Sequence, residues 1–382
     1  MSAFFDLSEE ERMIQQTARE FADSEVAPAA AENDKQGRFP RDIVKRLSEL
    51  GFMGMLIPEK YGGTGVGNFC LVLALEEINR ACASTGVTMS VHNSLASSPI
   101  IKFASEKLKK KYLPEMATGA LLGAYSLSEA GSGSDAASLT AGAVKDGDEY
   151  VVNGSKSWIT TGAEADVFVV MLRTDTTQRS KGISTFVIDR DTKGLSIGKK
   201  ENKLGLRASS TVQVTFEDAR VPAANMIGQE GIGFKIAMET LDGGRIGIGA
   251  QAVGISQAAL DASLVYAKER EQFGKPIGEF QAIQWKLADM ATGIEAARLM
   301  LYRAARLRDR GEPHTKETAM AKLFASEVSN RVTREAIQIH GGAGYLKDFP
   351  VERYFRDARI TEIYEGTSEI HRIVVSRSLL RG

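Results

Sequence analysis

The segment with the clearest chemical potential is Glu365-Gly366, which lies between two helical patterns near the C-terminus. A glycine directly after a carboxylate marks the end of a helix and lets the backbone approach a ligand closely. Thr367 or Ser368 then caps the next helix, whose free amide groups suit a phosphate or a developing enolate. Glu365 is therefore the candidate catalytic base. Its spacing alone is more typical of a solvated carboxylate in a turn, so the assignment depends on the rest of the chain.

Two segments in the middle of the chain have the composition of a cofactor site. The loop Tyr125–Asp135 is rich in glycine and serine and offers backbone amides and hydroxyls, but it lacks the Walker pattern and the dinucleotide fingerprint. In Ser157–Thr161, Trp158 could lie against a flat cofactor ring while Thr160 donates a hydrogen bond to it. An ordinary loop and a tryptophan packed in the core are the alternative interpretations.

Further candidates lie in the C-terminal third. Leu241–Arg245 contains two adjacent glycines inside a predicted helix, each costing about 1 kcal/mol relative to alanine. Either a ligand beside Arg245 or a closely packed neighbouring helix would require them. Arg270–Pro276 with Gln281, and Gln338–Tyr345, place arginine, glutamine and glycine at helix ends, which suits a diphosphate. A helix C-cap followed by proline explains the first of these equally well.

Other kinds of chemistry find no support in the sequence. The four histidines show no metal-ligand spacing, and no serine has the glycine context of a nucleophile elbow. We therefore predict neither a metal site nor a serine nucleophile.

Composition limits the class of protein. A chain of 382 residues is too long for one compact core, so two or three domains are expected. With 48 basic and 49 acidic residues, it has no overall charge that would favour nucleic acid or an anionic membrane. Cys70 and Cys82 fit a reducing compartment better than a disulfide framework.

The N-terminal sequence indicates where the protein works. A capping-box pattern at Ser8–Glu11 follows the first seven residues directly, so no cleavable targeting segment is predicted. The longest apolar run, Val167–Leu172, is too short to cross a bilayer. The sequence therefore predicts a cytoplasmic protein with no membrane partner.

Periodicity divides the chain into three domains, with predicted boundaries 1–120, 121–228 and 229–382. Helices are predicted in the first at Glu10–Val26, Arg41–Leu50, Phe69–Arg80 and Glu106–Leu113. Strands are predicted in the second at Glu149–Val152, Val167–Arg173, Gly182–Asp189 and Val212–Phe216, with Asn153-Gly154 as a hairpin turn. Four long helices are predicted in the third at Phe234–Phe273, Phe280–Arg310, Lys316–Gln338 and Val351–Leu380, which indicates a bundle.

Taken together, these segments identify a family. From about Leu7 to Leu380 the sequence resembles the acyl-CoA dehydrogenases, most closely the short-chain (butyryl-CoA) members. The motifs that carry the resemblance are Leu127-Ser128-Glu129 with Gly133-Ser134-Asp135, Trp158-Ile159-Thr160, Arg270 with Gln272-Phe273-Gly274, Gln338 with Gly341-Gly342, and Tyr364-Glu365-Gly366-Thr367.

The resemblance implies a mainly α fold with a middle β-barrel: a helical N-terminal domain, the barrel, and a C-terminal four-helix bundle, assembled as a homotetramer around FAD. It places Tyr125, Leu127, Ser128, Gly133, Ser134, Trp158, Ile159 and Thr160 at the flavin, and Arg270, Phe273, Gln281, Gln338, Gly341 and Gly342 at the ADP part, some reaching a neighbouring subunit's FAD. It also places Thr367 and Glu369 at FAD, and Ser134, Asp242, Arg245 and Gly366 at acyl-CoA.

The resemblance also implies the reaction. Glu365 would remove the α-proton of a short-chain acyl-CoA thioester while a hydride passes from the β-carbon to flavin N5, giving the trans-2-enoyl-CoA. An apolar pocket should raise the pKa of this carboxylate towards working pH. Electrons would then pass to an electron-transfer flavoprotein.

Two positions bear on how far the resemblance extends. Ala130 stands where many members have proline, which could loosen the flavin loop. Gly244 stands where members for branched or very long chains can carry their base, so it supports a short or medium straight chain. A butyryl-like substrate is expected, ahead of isobutyryl, 2-methylbutyryl and glutaryl derivatives. The competing interpretations are an oxidase that passes the electrons to oxygen and a non-catalytic assembly scaffold.

Overall fold

The computed structural model describes residues 7–380, and its N-terminal part is helical. The capping box predicted at Ser8 is present, with the Glu11 N–H donating to Ser8 Oγ and the Ser8 N–H to the Glu11 carboxylate. The helices are α1 (Glu9–Phe21), α2 (Ala27–Gln36), α3 (Arg41–Glu49), α4 (Gly67–Ala81), α5 (Ala83–Ser90), α6 (Ser98–Phe103) and α7 (Glu106–Ala117).

Helices α2, α5 and α6 were not predicted, nor was the π-helical segment Val91–Ser97 between the last two. Every residue from 81 to 100 is buried, so no solvent face produces an amphipathic period. A helix buried all round gives no periodic signal, and this segment therefore shows none.

The middle part is a β domain. Its strands are β1 (Gly123–Ser126), β2 (Gly142–Asp146), β3 (Glu149–Thr160), β4 (Val167–Arg173), β5 (Ile183–Asp189), β6 (Leu195–Ile197), β7 (Thr211–Pro222) and β8 (Met226–Ile227). They form one eight-stranded sheet in the order β6-β7-β3-β2-β4-β5-β8, with β1 parallel to β4. The alternation predicted for Val212–Phe216 is present in β7, where Val212, Val214 and Phe216 are buried.

The hairpin predicted at Asn153-Gly154 is wrong. Both residues lie inside β3, which continues to Thr160 and pairs with β7 through a register irregularity at this point. The turn lies earlier, between Asp146 and Glu149, which face each other across β2 and β3. Gly147 supplies its left-handed residue, at φ 62°. At Gly154, glycine is instead required by a close approach, since an added Cβ would lie 2.7 Å from Ala141 Cα.

The C-terminal part contains the predicted long helices. Its elements are α8 (Gly233–Glu269), β9 (Glu271–Gln272), β10 (Lys275–Pro276), α9 (Gln281–Asp309), α10 (Thr315–His340), α11 (Val351–Ala358) and α12 (Ser368–Leu380). The prediction of one helix over Val351–Leu380 is wrong, because α11 and α12 are separated by a 3₁₀ turn and the Glu365-Gly366 turn. Because of this break, the Glu365 side chain packs against the neighbouring helix α8.

Helices α8 and α10 run side by side in the same direction. At one end Thr315 Oγ1 donates a hydrogen bond of 2.7 Å to Asp242. At the other end the rings of Tyr266 and His340 stack with centroids 4.2 Å apart. The bundle therefore has two distinct ends, one at Asp242 and one at His340. None of the helices within residues 7–380 is long and apolar enough to cross a membrane.

Candidate active site

Glu365 is held in an unusual backbone conformation. Its φ is 53°, in the left-handed region that side chains other than glycine rarely adopt, and Gly366 follows at φ 103°. Immediately before it, the Tyr364 hydroxyl donates to Gln251 Oε1 on α8. Immediately after it, Thr367 Oγ1 accepts the Ile370 N–H at 3.4 Å at the start of α12, which is the predicted capping. Strain of this kind is found where surrounding contacts impose a functional geometry.

The carboxylate of Glu365 lies directly on Gly244 of α8. A Cβ added to Gly244 would lie 1.8 Å from Glu365 Oε2 and 2.8 Å from Leu95 Cδ2. The sequence left two explanations for the glycine pair, a ligand or a packed helix. The structure shows a third for Gly244, which is the space occupied by the candidate base itself.

Two cations face this carboxylate. Arg245 on α8 is buried and donates to Asp242, which also accepts from Thr315. Lys322 on α10 is fully buried, and its Nζ donates to the Gly366 carbonyl at 2.7 Å. Positive charge therefore surrounds Glu365 from two helices, in a setting from which water is largely removed.

Burial raises the pKa of Glu365 to about 7, with Lys322 and then Arg245 opposing the rise. The residue keeps some exposed surface, but its Oε2 is buried and has no hydrogen-bond partner within residues 7–380. The expected rise in pKa is thus present. A carboxylate with a pKa near neutrality is matched to abstracting a proton at physiological pH.

The β domain approaches the base through Tyr125, at the end of β1. Its ring is buried, and its hydroxyl has no hydrogen-bond partner in the described part of the chain. Burial raises the pKa of Tyr125, and the negative charge of nearby Glu365 raises it further. The loop Leu127–Ser134 leaves from this point.

That loop is anchored by a buried ion pair. Glu129 accepts from Lys156 Nζ at 2.8 Å, and also from the Thr140 and Ala141 N–H groups at 2.7 and 2.9 Å. Lys156 additionally donates to the Leu127 carbonyl at 3.2 Å. Beyond the anchor the loop is open, since a Cβ added at Gly131 or Gly133 would meet nothing described within 4 Å. Within it Leu127 is buried, Ser128 is partly buried, and Gly133 and Ser134 are exposed.

The predicted aromatic platform lies inside β3 rather than after a hairpin. Trp158 has φ 59° at the second register irregularity of that strand, and 56% of its surface is exposed. Ile159 beside it is buried and Thr160 is partly buried. The Ser157 N–H donates to the Ser128 carbonyl at 2.9 Å, so the strand and the loop form one surface.

The residues predicted for the ADP part gather at the His340 end of the bundle. Arg270, Phe273, Gln281, Gln338, Gly341 and Gly342 are all exposed there, and Phe273 is 95% exposed on the turn between β9 and β10. Arg245 lies on α8, and Arg270 directly follows the end of this helix, 25 positions later. At the helical rise per residue, the two are about 37 Å apart along the helix axis. Within one chain these residues are therefore far from Glu365. They are not part of the same site unless a second subunit brings them there.

Of the residues predicted from the sequence, the structure brings Glu365, Gly366, Asp242, Arg245 and Tyr125 into one neighbourhood. Glu369 is exposed in the first turn of α12, next to that neighbourhood. The sequence-based prediction did not include Lys322, Gln251, Tyr364 or His371 among the site residues, although all four contact or face the Glu365-Gly366 turn. The signal for Lys322 was present but weak: a single lysine among small and apolar residues on a buried stretch of helix.

The chain is similar to known proteins over nearly its whole length. Family models described as acyl-CoA dehydrogenase N-terminal, middle and C-terminal domains match residues 8–120, 124–219 and 231–380. The chain is 52% identical over 376 residues to the mitochondrial short-chain specific acyl-CoA dehydrogenase of Bos taurus, covering 98% of this chain and 91% of that protein.

Solved structures give the same result. Butyryl-CoA dehydrogenase from Megasphaera elsdenii is 44% identical, with a TM-score of 0.97 and complete coverage of both chains. A chain from the structure described as electron transferring flavoprotein of Acidaminococcus fermentans, towards a mechanism of flavin-based electron bifurcation, is 48% identical, with a TM-score of 0.98 and complete coverage of both.

Proposed function

This chain belongs to the acyl-CoA dehydrogenase family, and we propose that it converts a short-chain acyl-CoA thioester to the trans-2-enoyl-CoA with Glu365 as the base. The observation that carries the proposal is the carboxylate of Glu365, fixed in a strained turn against Gly244 with a pKa raised to about 7. The short-chain assignment is supported by the relatives, which are named for short-chain and butyryl-CoA substrates.

The residues of the site fit a bound FAD. Tyr125 and Thr161 each bury a hydroxyl without a hydrogen-bond partner in the described residues, and Trp158, three positions before Thr161, exposes a flat ring. The open loop around Gly131 and Gly133 leaves room for a ligand against its backbone. We propose that the flavin is held by Tyr125, Leu127, Ser128, Gly133, Ser134, Trp158, Ile159 and Thr160, with Thr367 and Glu369 at the start of α12.

The chain's own contribution is binding, orientation and proton transfer. Glu365 takes the α-proton onto its carboxylate, and the Glu365-Gly366 backbone and the amino end of α12 present N–H groups to the developing enolate. Ser134, Asp242, Arg245 and Gly366 are the proposed contacts of acyl-CoA. When bound, FAD supplies flavin N5 as the acceptor for the hydride that leaves the β-carbon of the substrate.

The remaining proposals concern assembly and partners. The exposed set Arg270, Phe273, Gln281, Gln338, Gly341 and Gly342 lies too far from Glu365 to share a ligand within one chain, which supports a homotetramer whose subunits complete each other's FAD sites. An electron-transfer flavoprotein is the proposed acceptor, supported by the similarity to the Acidaminococcus fermentans structure. We further propose a cytoplasmic location and domain boundaries at 120 and 228.

The first experiment is the visible spectrum of the purified protein during anaerobic addition of butyryl-CoA, hexanoyl-CoA and isobutyryl-CoA. Strongest bleaching by butyryl-CoA is expected. A yellow protein bleached by none of them would contradict the substrate class, and a colourless protein that FAD cannot reconstitute would support the scaffold alternative. Reoxidation by air within one turnover would support the oxidase alternative.

The role of Glu365 is tested by Glu365→Gln. This variant should keep its flavin spectrum and lose bleaching by butyryl-CoA, because the amide cannot accept the proton. The matched control is Glu327→Gln, which removes an exposed carboxylate that pairs with Arg372 on the protein surface. Normal turnover by Glu365→Gln with bound FAD would contradict the proposed mechanism.

A further inference from the structure

Lys322 is a fully buried lysine that takes no part in the proposed proton and hydride transfers. It lies on α10, with none of its surface exposed, and its Nζ donates 2.7 Å to the Gly366 carbonyl. Burying an ammonium group is costly unless nearby groups compensate its charge. Its position directly behind the turn that carries Glu365 calls for a reason beyond packing.

The hydrogen bond from Lys322 acts on the most strained part of the site. Glu365 and Gly366 both have positive φ, and the Tyr364 hydroxyl fixes the chain only on the side preceding them. The bond to the Gly366 carbonyl fixes the other side. The imidazole of His371 packs against the same glycine, since a Cβ added at Gly366 would lie 2.9 Å from its Cε1. The turn is thus held between α8, α10 and α12.

The charge of Lys322 is also available to the base. The other nearby cation, Arg245, already pairs with Asp242. Within residues 7–380 Lys322 forms no ion pair at 4 Å or less, and its hydrogen bond goes to a neutral carbonyl. Among the groups that raise the pKa of Lys322, Glu365 has the largest effect, through its negative charge.

The other titratable groups around Lys322 do not replace Glu365 in this role. Glu362 and Glu369, before and after the turn, raise the pKa of Lys322 less than Glu365 does, and the charge of Arg245 on α8 lowers it. Burial lowers the pKa of His371 on α12 to about 3, helped by Lys322 and Arg245, so its ring is neutral. Burial lowers the pKa of Lys322 itself, and an ionised Glu365 favours its protonated form.

We propose that Lys322 is a positioning residue for the base: its amino group holds the Glu365-Gly366 turn by the Gly366 carbonyl, and its positive charge stabilises the ionised Glu365 carboxylate. The inference rests on the proposed function of Glu365. Lys322 thus has two separable effects: a tether, which is its hydrogen bond to the Gly366 carbonyl, and a positive charge near Glu365. Different substitutions remove them.

Two variants of the flavin-loaded, full-length protein test the two effects. Lys322→Met removes both the tether and the charge at similar length. Lys322→Gln removes the charge and keeps an N–H donor, on a side chain that is one bond shorter. Lys145→Met, at an exposed position on β2, is the matched control for the loss of a lysine. Each variant is measured for the pH profile of kcat/KM with butyryl-CoA, for amide hydrogen exchange of residues 363–368, and for the thermal unfolding midpoint.

In both Lys322 variants the acidic limb of kcat/KM should move to higher pH, because the ionised base loses a stabilising charge. At pH 6 we expect kcat/KM to be lower than that of the unsubstituted protein by on the order of tenfold. This difference in kcat/KM should become smaller as the pH rises. The exchange of residues 363–368 is expected to become faster in Lys322→Met, and to change less in Lys322→Gln. If Lys322→Met does not fold, the pH profile of Lys322→Gln still decides the role of the charge.

An unchanged acidic limb in Lys322→Gln would overturn the charge effect, and unchanged exchange in a folded Lys322→Met would overturn the tether. Glu365→Gln separates these failures from a failure of the proposed function. If Glu365→Gln is inactive while both Lys322 variants behave like the unsubstituted protein, only the positioning role is wrong. If Glu365→Gln is active, Glu365 is not the base and the inference fails with it.

Discussion

At the residue scale, the environment of Glu365 sets a pH dependence. Its pKa is raised to about 7, mainly by burial. The base must be ionised to accept a proton, so kcat/KM should be nearly constant above this pH and should decrease about tenfold per pH unit below it. The measurement is the pH profile of kcat/KM for butyryl-CoA from about pH 4 to 9. An acidic limb with its midpoint near 4.5, the ordinary value for glutamate, would contradict a buried base.

Gly244 gives a second prediction at this scale. In Gly244→Ala the new Cβ would lie 1.8 Å from Glu365 Oε2, so the carboxylate must move from the place that the turn imposes. We expect kcat to decrease by about 100-fold, since displacements near 1 Å can have this effect. The protein should remain folded, because alanine favours a helix over glycine by about 1 kcal/mol.

Gly249→Ala is the control for this substitution. It lies on the same helix and gains the same helix propensity, but its Cβ would meet only the flexible end of Leu301, at 2.9 Å from Cδ1. It should leave kcat unchanged. Equal loss of activity in both variants would indicate that the helix, and not the base, is disturbed.

What the sequence reveals at this scale depends on how local the constraint is. Glu365 was found because its glycine neighbour is adjacent in sequence, and Arg245 because two glycines precede it. Lys322 lies 43 positions before Glu365, and its function arises only when α10 packs behind the turn. Periodicity cannot show such a contact, since the partner atom is a backbone carbonyl that any residue would provide.

At the element scale, the ion pair between Glu129 and Lys156 holds the loop Leu127–Ser134 on β3. Lys156→Met should destabilise the middle domain by about 3–5 kcal/mol, because it leaves Glu129 as an uncompensated buried charge. Glu129→Gln combined with Lys156→Met should recover part of this loss, since no net charge then remains buried. The measurements are the thermal unfolding midpoint and the temperature at which flavin fluorescence appears.

Lys200→Met is the control for this loop. Lys200 belongs to the same domain, but its pair with Glu164 is longer, at 3.4 Å, and the lysine side chain is 47% exposed. Exposed pairs of this kind contribute at most about 1 kcal/mol. Flavin release at the same temperature in Lys156→Met and Lys200→Met would show that the buried pair does not hold the loop.

The elements themselves were predictable where local composition marks their ends. Val167–Arg173 was located to the residue because strand β4 is a continuous apolar run bounded by polar residues. The hairpin prediction failed because Asn153-Gly154 has turn chemistry, while β2 and β7 pair on both sides of it and extend the strand. Tertiary pairing thus overrode a local preference of the backbone.

At the scale of the whole molecule, one side chain joins all three parts of the chain. Arg356 on α11 donates to Asp34 of α2 at 2.7 Å, to Glu352 one turn away at 2.7 Å, and to the Leu204 carbonyl of the β domain at 3.2 Å. Next to it, Asp357 accepts the Leu206 N–H at 2.6 Å. The side-chain hydrogen bond with Glu352 is the main reason that the pKa of Arg356 lies above its usual range. This junction lies just before the turn that carries Glu365.

Arg356→Met should therefore loosen the packing of the three parts and disturb the site at a distance. It leaves Asp34, which is largely buried, without its cation, and it removes the bond to the Leu204 carbonyl. We expect a loss of about 2–4 kcal/mol of stability and separate unfolding steps in place of one, measured by calorimetry. Arg372→Met, which breaks an exposed pair with Glu327, should shift the transition little. If the two variants unfold alike, the junction is not what couples the three parts, and the rigidity of the Glu365 turn must come from the bundle alone.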